Sequence, residues 1–436
     1  MSKIRQTLAQ DWNEVVALIP DNLDASAAKY GALRRHRGFH SAADLLRVIL
    51  IYATLLSLRT AALWGLGLQI CDISRQALER QVLKSSAWLR HLLGVLLPTL
   101  VKVPAAGQGG IQRVLVRDAS VIARPGSPGT EWRLHVSWHP FHLQPAHVSL
   151  TDAHTGEGLE DIHLQAGDLV LADLAYGLWR TIQIVLDALA SFIIRLTWSN
   201  LPLVTPTGQP FDLMAWLHNL PETQLTAEVT VCAAADSLQR PLRLVVGRLP
   251  ADKAQAAREE VKRQARHDHR QVHPHTLFAA GFCILLTNLP AATWTTSTVL
   301  AFYHLRWQIE WCFRRWKSLC QLDVLPAYPA KIAEPVLLAK LIIILLMQRR
   351  LGALPWDAWW TADEPAPVVS VVVSMTHHAL CEIIRPSTVI WQLLQNPTPF
   401  LRHLRSSRRK RPLQLSQAVR RFAELLGDVV PTPTPA

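Results

Sequence analysis

From residue 112 to residue 197 the apolar pattern follows an order that few folds satisfy. QRVLVRDAS reads as a buried strand ending on Asp118, and WRLHVSWH and AHVSLTD alternate as two further strands. GDLVLADLAYG is a buried strand ending on Asp173, LWRTIQIVLDALA has the spacing of a helix, and SFIIRLTW returns to a strand. Three strands followed by strand, helix and strand require an α/β sheet with at least one crossover connection.

That order predicts an α/β fold with a ribonuclease H-like core, whose first part spans 111–200. At 436 residues the chain exceeds one ordinary core, so two to four domains are expected. Residues 1–104 are helical in pattern and studded with Arg34, Arg35, Arg37, Arg75, Arg80 and Lys84. They read as a DNA-binding domain, with a dimerisation or scaffold unit as the alternative. PAAGQGG (104–110) is a linker by composition. Residues 201–280 break the core pattern as a β-rich insertion holding the strands TAEVTVCA and PLRLVVGRLP and a charged helix, DKAQAAREEVKRQARH. FCILLTNLP then opens the second part of the core, 281–350. Residues 351–436 form a basic C-terminal segment, a possible dimerisation element, with the cluster RHLRSSRRKR and a disordered PTPTPA tail.

Lys and Arg number 45 against 33 Asp and Glu, which favours a polyanionic partner, nucleic acid before membrane. The apolar runs LLRVILIYATLLSL and VLLAKLIIILLM are shorter than a bilayer span and are interrupted or flanked by Arg47, Arg59 and Lys340, so they predict buried core helices. Cys71, Cys232, Cys283, Cys312, Cys320 and Cys381 lack paired zinc spacing and read as buried thiols of a reducing compartment. With no apolar signal region in MSKIRQTLAQDW, a cytoplasmic location is expected.

The stretch YHLRWQIEWCFRRWK (303–317) predicts a helix with a narrow, chemically mixed stripe. At about 100° per residue, Tyr303, Arg306, Glu310 and Lys317 fall within roughly 60° of one another. Phe302, Leu305, Ile309, Cys312, Phe313, Trp316, Leu319 and Cys320 project elsewhere and predict the packed face. A solvated ion-paired stripe is the plain reading, since Arg306 and Glu310 stand four apart. The chemical reading joins Glu310 to Asp118 and Asp173 at the carboxyl end of the sheet, where ligand sites form. Three carboxylates there need cations, and hard oxygen donors select Mg²⁺ or Mn²⁺ as two ions able to support phosphoryl transfer.

The spacing Y-x2-R-x3-E-x6-K, with VRDAS, LADLAYG and the β-rich insertion before the Glu helix, resembles the signature of the DDE transposases of the bacterial insertion sequence four family. The similarity covers most of the chain, including DLLRVILIYATLLSLRTAALW, and loosens beyond about residue 350. It implies cut-and-paste DNA transposition by end nicking, hairpin formation and strand transfer in a synaptic homodimer on terminal inverted repeats and target DNA. Asp118, Asp173 and Glu310 would be catalytic metal ligands, and Tyr303, Arg306 and Lys317 would contact end DNA. Leu174 stands where many relatives carry Arg. A noncatalytic repressor and a purely hydrolytic nuclease are the alternatives.

Rival residues have simpler readings. Asp152 heads a turn and Asp168 precedes its strand, so both are expected to serve turns. The His-dense RHDHRQVHPH (266–275) reads as a solvated loop. Relatives stack a flipped base on a tryptophan, and Trp198, Trp216 and Trp294 lie in or beside the insertion, but burial is the expected role of each.

Overall fold

A computed structural model describes residues 10–36, 38–97, 110–141, 144–327, 329–352, 369–389 and 395. The linker at 104–109, the basic cluster at 402–411 and the terminal PTPTPA lie outside the described residues. The chain divides into two compact units, one built from residues up to Val16, Asn22–Trp88 and Ala379 onward, the other from Ala17–Asp21 and Leu89–His378.

In the first unit the helices Leu23–Lys29, Ala42–Leu55, Leu58–Gly67 and Arg75–Lys84 each start on a side-chain cap. Asn22, Ser41, Ser57 and Ser74 accept the amides of Ala25, Asp44, Thr60 and Ala77, satisfying donors that no helical carbonyl can reach. Ala42–Leu55 is buried along most of its length, as its apolar run predicts. Its buried charge, Arg47, donates to the carbonyls of Ile383 at 2.7 Å and Ile384 at 3.1 Å. These are terminal carbonyls of the helix Val369–Ile384, which lack helical partners of their own. Residues beyond 378 thus complete this unit.

The second unit is organised by a sheet of nine strands in the order β3-β2-β1-β4-β5-β9-β8-β7-β6. These are β1 (Arg113–Ile122), β2 (Trp132–His139), β3 (Gln144–Asp152), β4 (Asp168–Ala172), β5 (Ser191–Arg195), β6 (Leu203–Val204), β7 (Thr226–Ala233), β8 (Leu242–Arg248) and β9 (Phe282–Thr287). β1, β4 and β5 run parallel, with β2 and β3 antiparallel on one side and β9, β8, β7 and β6 antiparallel on the other. The crossover from β4 to β5 carries the helix Trp179–Asp187, as the sequence pattern predicts. Strands from 201–280 do not stand apart: β8 pairs with β9 from Arg243↔Thr287 to Arg248↔Phe282, so they extend the same sheet. Phe192, Ile194, Leu244 and Leu286 accordingly share one apolar cluster.

β1 does not stop at Asp118. It continues to Ile122 because β2 still pairs with it through Ile122↔Trp132, whereas its parallel pairing with β4 ends at Arg117↔Ala172. Asp118 therefore marks the point where one neighbour stops, not the end of its own strand.

The stretch read as one helix from 303 is three pieces: Thr296–Tyr303, a 3-10 turn His304–Arg306, and Trp307–Ser318. Ile309, Cys312, Phe313 and Trp316 are buried as expected. The run VLLAKLIIILLM lies in the buried helix Ala333–Gly352. Its Lys340 donates to the Gln321 carbonyl at 2.6 Å, and burial lowers the amine's pKa to about 8. Among the described residues no helix is long and apolar enough to cross a membrane.

Candidate active site

Asp118 and Asp173 reach one place by different local routes. Asp118 projects from β1 one residue beyond the last β1–β4 pair, and Asp173 follows the last residue of β4. Each fixes one carboxylate oxygen on the amide of the next residue: Asp118 Oδ1 accepts Ala119 N at 2.8 Å, and Asp173 Oδ1 accepts Leu174 N at 2.7 Å. The second contact caps the 3-10 turn Leu174–Tyr176 and so halts β4. Leu174 enters the site through its amide, a contact that does not depend on the side chain there.

The other oxygens face Arg306. Its Nη1 lies 3.6 Å from Asp118 Oδ2 and 3.6 Å from Asp173 Oδ2, while Nη2 donates to Glu310 Oε1 at 2.6 Å. The three predicted carboxylates thus converge on a single guanidinium. Burial alone would lower the guanidinium's pKa, but Asp173, Tyr303 and Glu310 raise it further than burial lowers it. Asp118 moves the other way. Burial, helped by Asp173 and Glu157, pushes its carboxyl up to about 6 against the Ala119 amide and Arg306.

The remaining members of the predicted stripe separate. Lys317 Nζ donates to the Val121 carbonyl at 3.2 Å, tying the Glu310 helix to the overrun of β1. Tyr303 is buried, and its hydroxyl donates to the Ala172 carbonyl at 3.3 Å. Tyr303, read from the sequence as a DNA contact, ends the preceding helix, is separated from Glu310 by the 3-10 turn, and in this structure braces that preceding helix against β4.

Sequence reasoning missed two elements. Glu157, half-buried in the connection after β3, has its pKa raised by burial and by Asp173, with Arg133 opposing. It stands in a turn-rich segment that has no periodicity to expose it. Behind Asp118, Arg117 is buried on the opposite side of β1 and donates to Gly158 O and Ser137 Oγ, each at 3.3 Å, and to Asp161. Burial would raise the Asp161 carboxyl, but His147, Arg117 and Ser149 hold it well below the usual range.

The rivals resolve as structural groups. Asp152 Oδ1 accepts the amides of His154 and Thr155, an ordinary turn. Asp168 is the buried first residue of β4, where Arg113 grips it through both Nε and Nη2. The His-dense segment is not one loop: His267 ends a helix, and His273 caps another, Pro274–Ala279, while stacking on Trp198 at 5.0 Å. Trp294 is buried edge-on to Phe302; Trp198 and Trp216 are half-buried.

Among the described residues no group of three or more His, Cys, Asp or Glu side chains stands ready to hold a metal ion. At the three carboxylates a guanidinium contacts each of them. The donor chemistry itself, hard oxygens drawn together around one positive charge, suits a divalent ion such as Mg²⁺ or Mn²⁺.

Residues 109–345 match the transposase DDE domain family. The chain is 32% identical over 347 residues to the transposase for insertion sequence element IS421 of Escherichia coli, covering 77% of this chain and 93% of that protein. It is likewise 32% identical over 346 residues to the putative transposase InsL for insertion sequence element IS186A of Escherichia coli K12, with the same coverage. Identity to the transposase for insertion sequence element IS231F of Bacillus thuringiensis subsp. israelensis is 26% over 300 residues, 60% of this chain and 62% of that one.

Proposed function

This chain belongs to the insertion sequence four family of DDE transposases, enzymes that cut DNA and transfer strands, and from that premise we propose that Asp118, Asp173 and Glu310 are its catalytic carboxylates. The observation that carries the reading is their meeting on one guanidinium from β1, the end of β4 and the helix Trp307–Ser318. In this reading the order β3-β2-β1-β4-β5 is a ribonuclease H-like core over 111–200 and 281–350, with 201–280 as the insertion. Residues 1–104 serve as a DNA-binding domain and 351–436 as a basic segment that supports dimerisation.

The three carboxylates would hold two divalent ions, Mg²⁺ or Mn²⁺. When bound, such ions activate an attacking oxygen and stabilise a leaving one at phosphorus. Asp118 and Asp173 are suited to this by having one oxygen pinned to the backbone, which orients the other without further loss of freedom. Glu310 stands on a helix that Lys317 fastens to β1, and Tyr303 fastens the helix before it to β4. Arg306, once drawn off the carboxylates, and Lys317 supply positive charge for the phosphates of the bound end. The course proposed is nicking at a terminal inverted repeat, attack of the freed 3′-OH to leave a hairpin, then opening and joining to target DNA within a homodimer.

Incubation of the full-length chain with an end-bearing DNA fragment and Mg²⁺ or Mn²⁺ tests this. Nicks, hairpins and joined products are expected, all lost in Glu310→Gln. Nicks without joined products would make the chain a hydrolytic nuclease, and binding without cleavage would make it a repressor.

A further inference from the structure

We propose that the Arg306 guanidinium is an internal counter-ion that keeps the metal position closed, so that divalent ions load by displacing it. This inference rests on the reading of Asp118, Asp173 and Glu310 as metal ligands.

The manner in which Arg306 is held carries the argument. Its side chain is only 6% exposed, yet among the described residues Nη1 and Nε have no hydrogen-bond partner. Nη1 points between Asp118 and Asp173 at 3.6 Å from each, beyond hydrogen-bonding distance. Arginines with structural roles in β1 and in the turn that follows it behave differently. Arg113 grips both oxygens of Asp168, and Arg124 grips both oxygens of Glu131, each through Nε and Nη2. Among the described residues Arg306 makes a single hydrogen bond, to Glu310, and gives the aspartates charge without directed bonds. A buried guanidinium with unused donors is an expensive arrangement. It persists because three carboxylates would otherwise face one another unneutralised.

One positive charge does not balance three carboxylates, whereas divalent ions can. The Oδ2 atoms of both aspartates lie 3.6 Å from the same guanidinium nitrogen, so the position a metal would take between them is the one that nitrogen holds. Where it now stands, the guanidinium already lies over the ring of Trp307, its Cζ 5.4 Å from the ring centre, and that tryptophan is 54% exposed, so the ring leads from the carboxylates towards solvent. Displaced outward along that ring, the guanidinium would leave the metal position and gain access to a DNA phosphate. Loading of metal and grip on DNA are thereby linked, and each favours the other.

The test uses the full-length chain without DNA, titrated with Mn²⁺ and followed by the electron paramagnetic resonance signal of free Mn²⁺. Arg306→Ala is expected to bind Mn²⁺ about tenfold more tightly than the wild type, the size of change that loss of one competing charged contact gives. A second measurement needs no variant. Phenylglyoxal modification of Arg306 in the wild type, read by peptide mass spectrometry, is expected to rise several-fold when Mn²⁺ is added. Equal Mn²⁺ affinity of the two proteins, or unchanged protection of Arg306 in Mn²⁺-bound wild type, overturns the counter-ion role while leaving the carboxylates as ligands. If neither protein binds Mn²⁺, the metal-site reading itself fails.

Discussion

Asp118 and Asp173 are held as near copies of each other: in both, Oδ1 takes the amide of the following residue and Oδ2 lies 3.6 Å from the same nitrogen of Arg306. Two residues that leave their strands differently reach one geometry because each sits where the β1–β4 pairing ends.

Asp118→Asn separates catalysis from stability. The variant keeps the shape and the Ala119 contact but removes a carboxylate whose ionised form burial disfavours. Cleavage of end-bearing DNA should fall by at least about a hundredfold. The thermal midpoint in EDTA should be no lower than that of the wild type. A cleavage rate within a few-fold of wild type would remove Asp118 from the catalytic set.

Asp168→Ala should do the reverse. It strips Arg113 of its partner at a largely buried site, which destabilises by about 3 kcal/mol or more. Differential scanning fluorimetry should show a clear drop in midpoint, while Mn²⁺ affinity of the folded protein stays at the wild-type value. A selective loss of Mn²⁺ binding would instead make Asp168 a ligand.

His135 sets an acid limit. It is buried, its Nε2 pairs with Thr151 Oγ1 at 2.9 Å, and burial, with Arg117 nearby, lowers its pKa to about 4. The unfolded chain protonates near the ordinary value of about 6.5. Stability is therefore complete above that pH and declines as pH falls from 6.5 towards 4, because the unfolded state takes the proton first. The contribution is on the order of 3 kcal/mol. His135→Gln should flatten that part of the pH–stability curve, and an unchanged slope would exclude His135 as its source.

Leu189→Gly should stabilise the fold. Leu189 follows the helix Trp179–Asp187 with φ +54°, and its side chain is 79% exposed. Ala190 N bonds Val185 O while Leu189 N bonds Leu186 O, the paired contacts of a left-handed helix stop. Glycine adopts that conformation without strain and loses no packing here, for a net gain of roughly 0.5 kcal/mol. A lower melting midpoint would show that Leu189 makes contacts its exposure conceals.

The sheet was legible where period and punctuation agree. The alternation in WRLHVSWH and the buried run GDLVLADLAYG define β2 and β4 directly, and a short acidic residue after an apolar run marks the edge where Asp173 sits. The overrun of β1 was hidden because strand ends depend on partners: residues 119–122 pair only with β2, a contact that local pattern does not encode. The same holds for β6, β7 and β8, whose continuity with the core sheet depends on β9, distant in sequence. In the helix, spacing grouped Arg306 with Glu310 correctly but could not distinguish a surface charge from one turned inward among carboxylates. Glu157 left no signal, since its place depends on how a turn-rich connection is folded back.

The pairing of β1 with β4 makes the chemistry intolerant of length changes. Arg117 and Asp118 are consecutive and face opposite sides of one strand, so removing any single residue from 114–116 would swap the sides they face. The deletion would set Ala119 where Asp118 stood, turn a guanidinium to the reactive face and bury a carboxylate in the packed interior. Copies of such a gene that have lost one codon there should be dead elements even with every acidic residue intact.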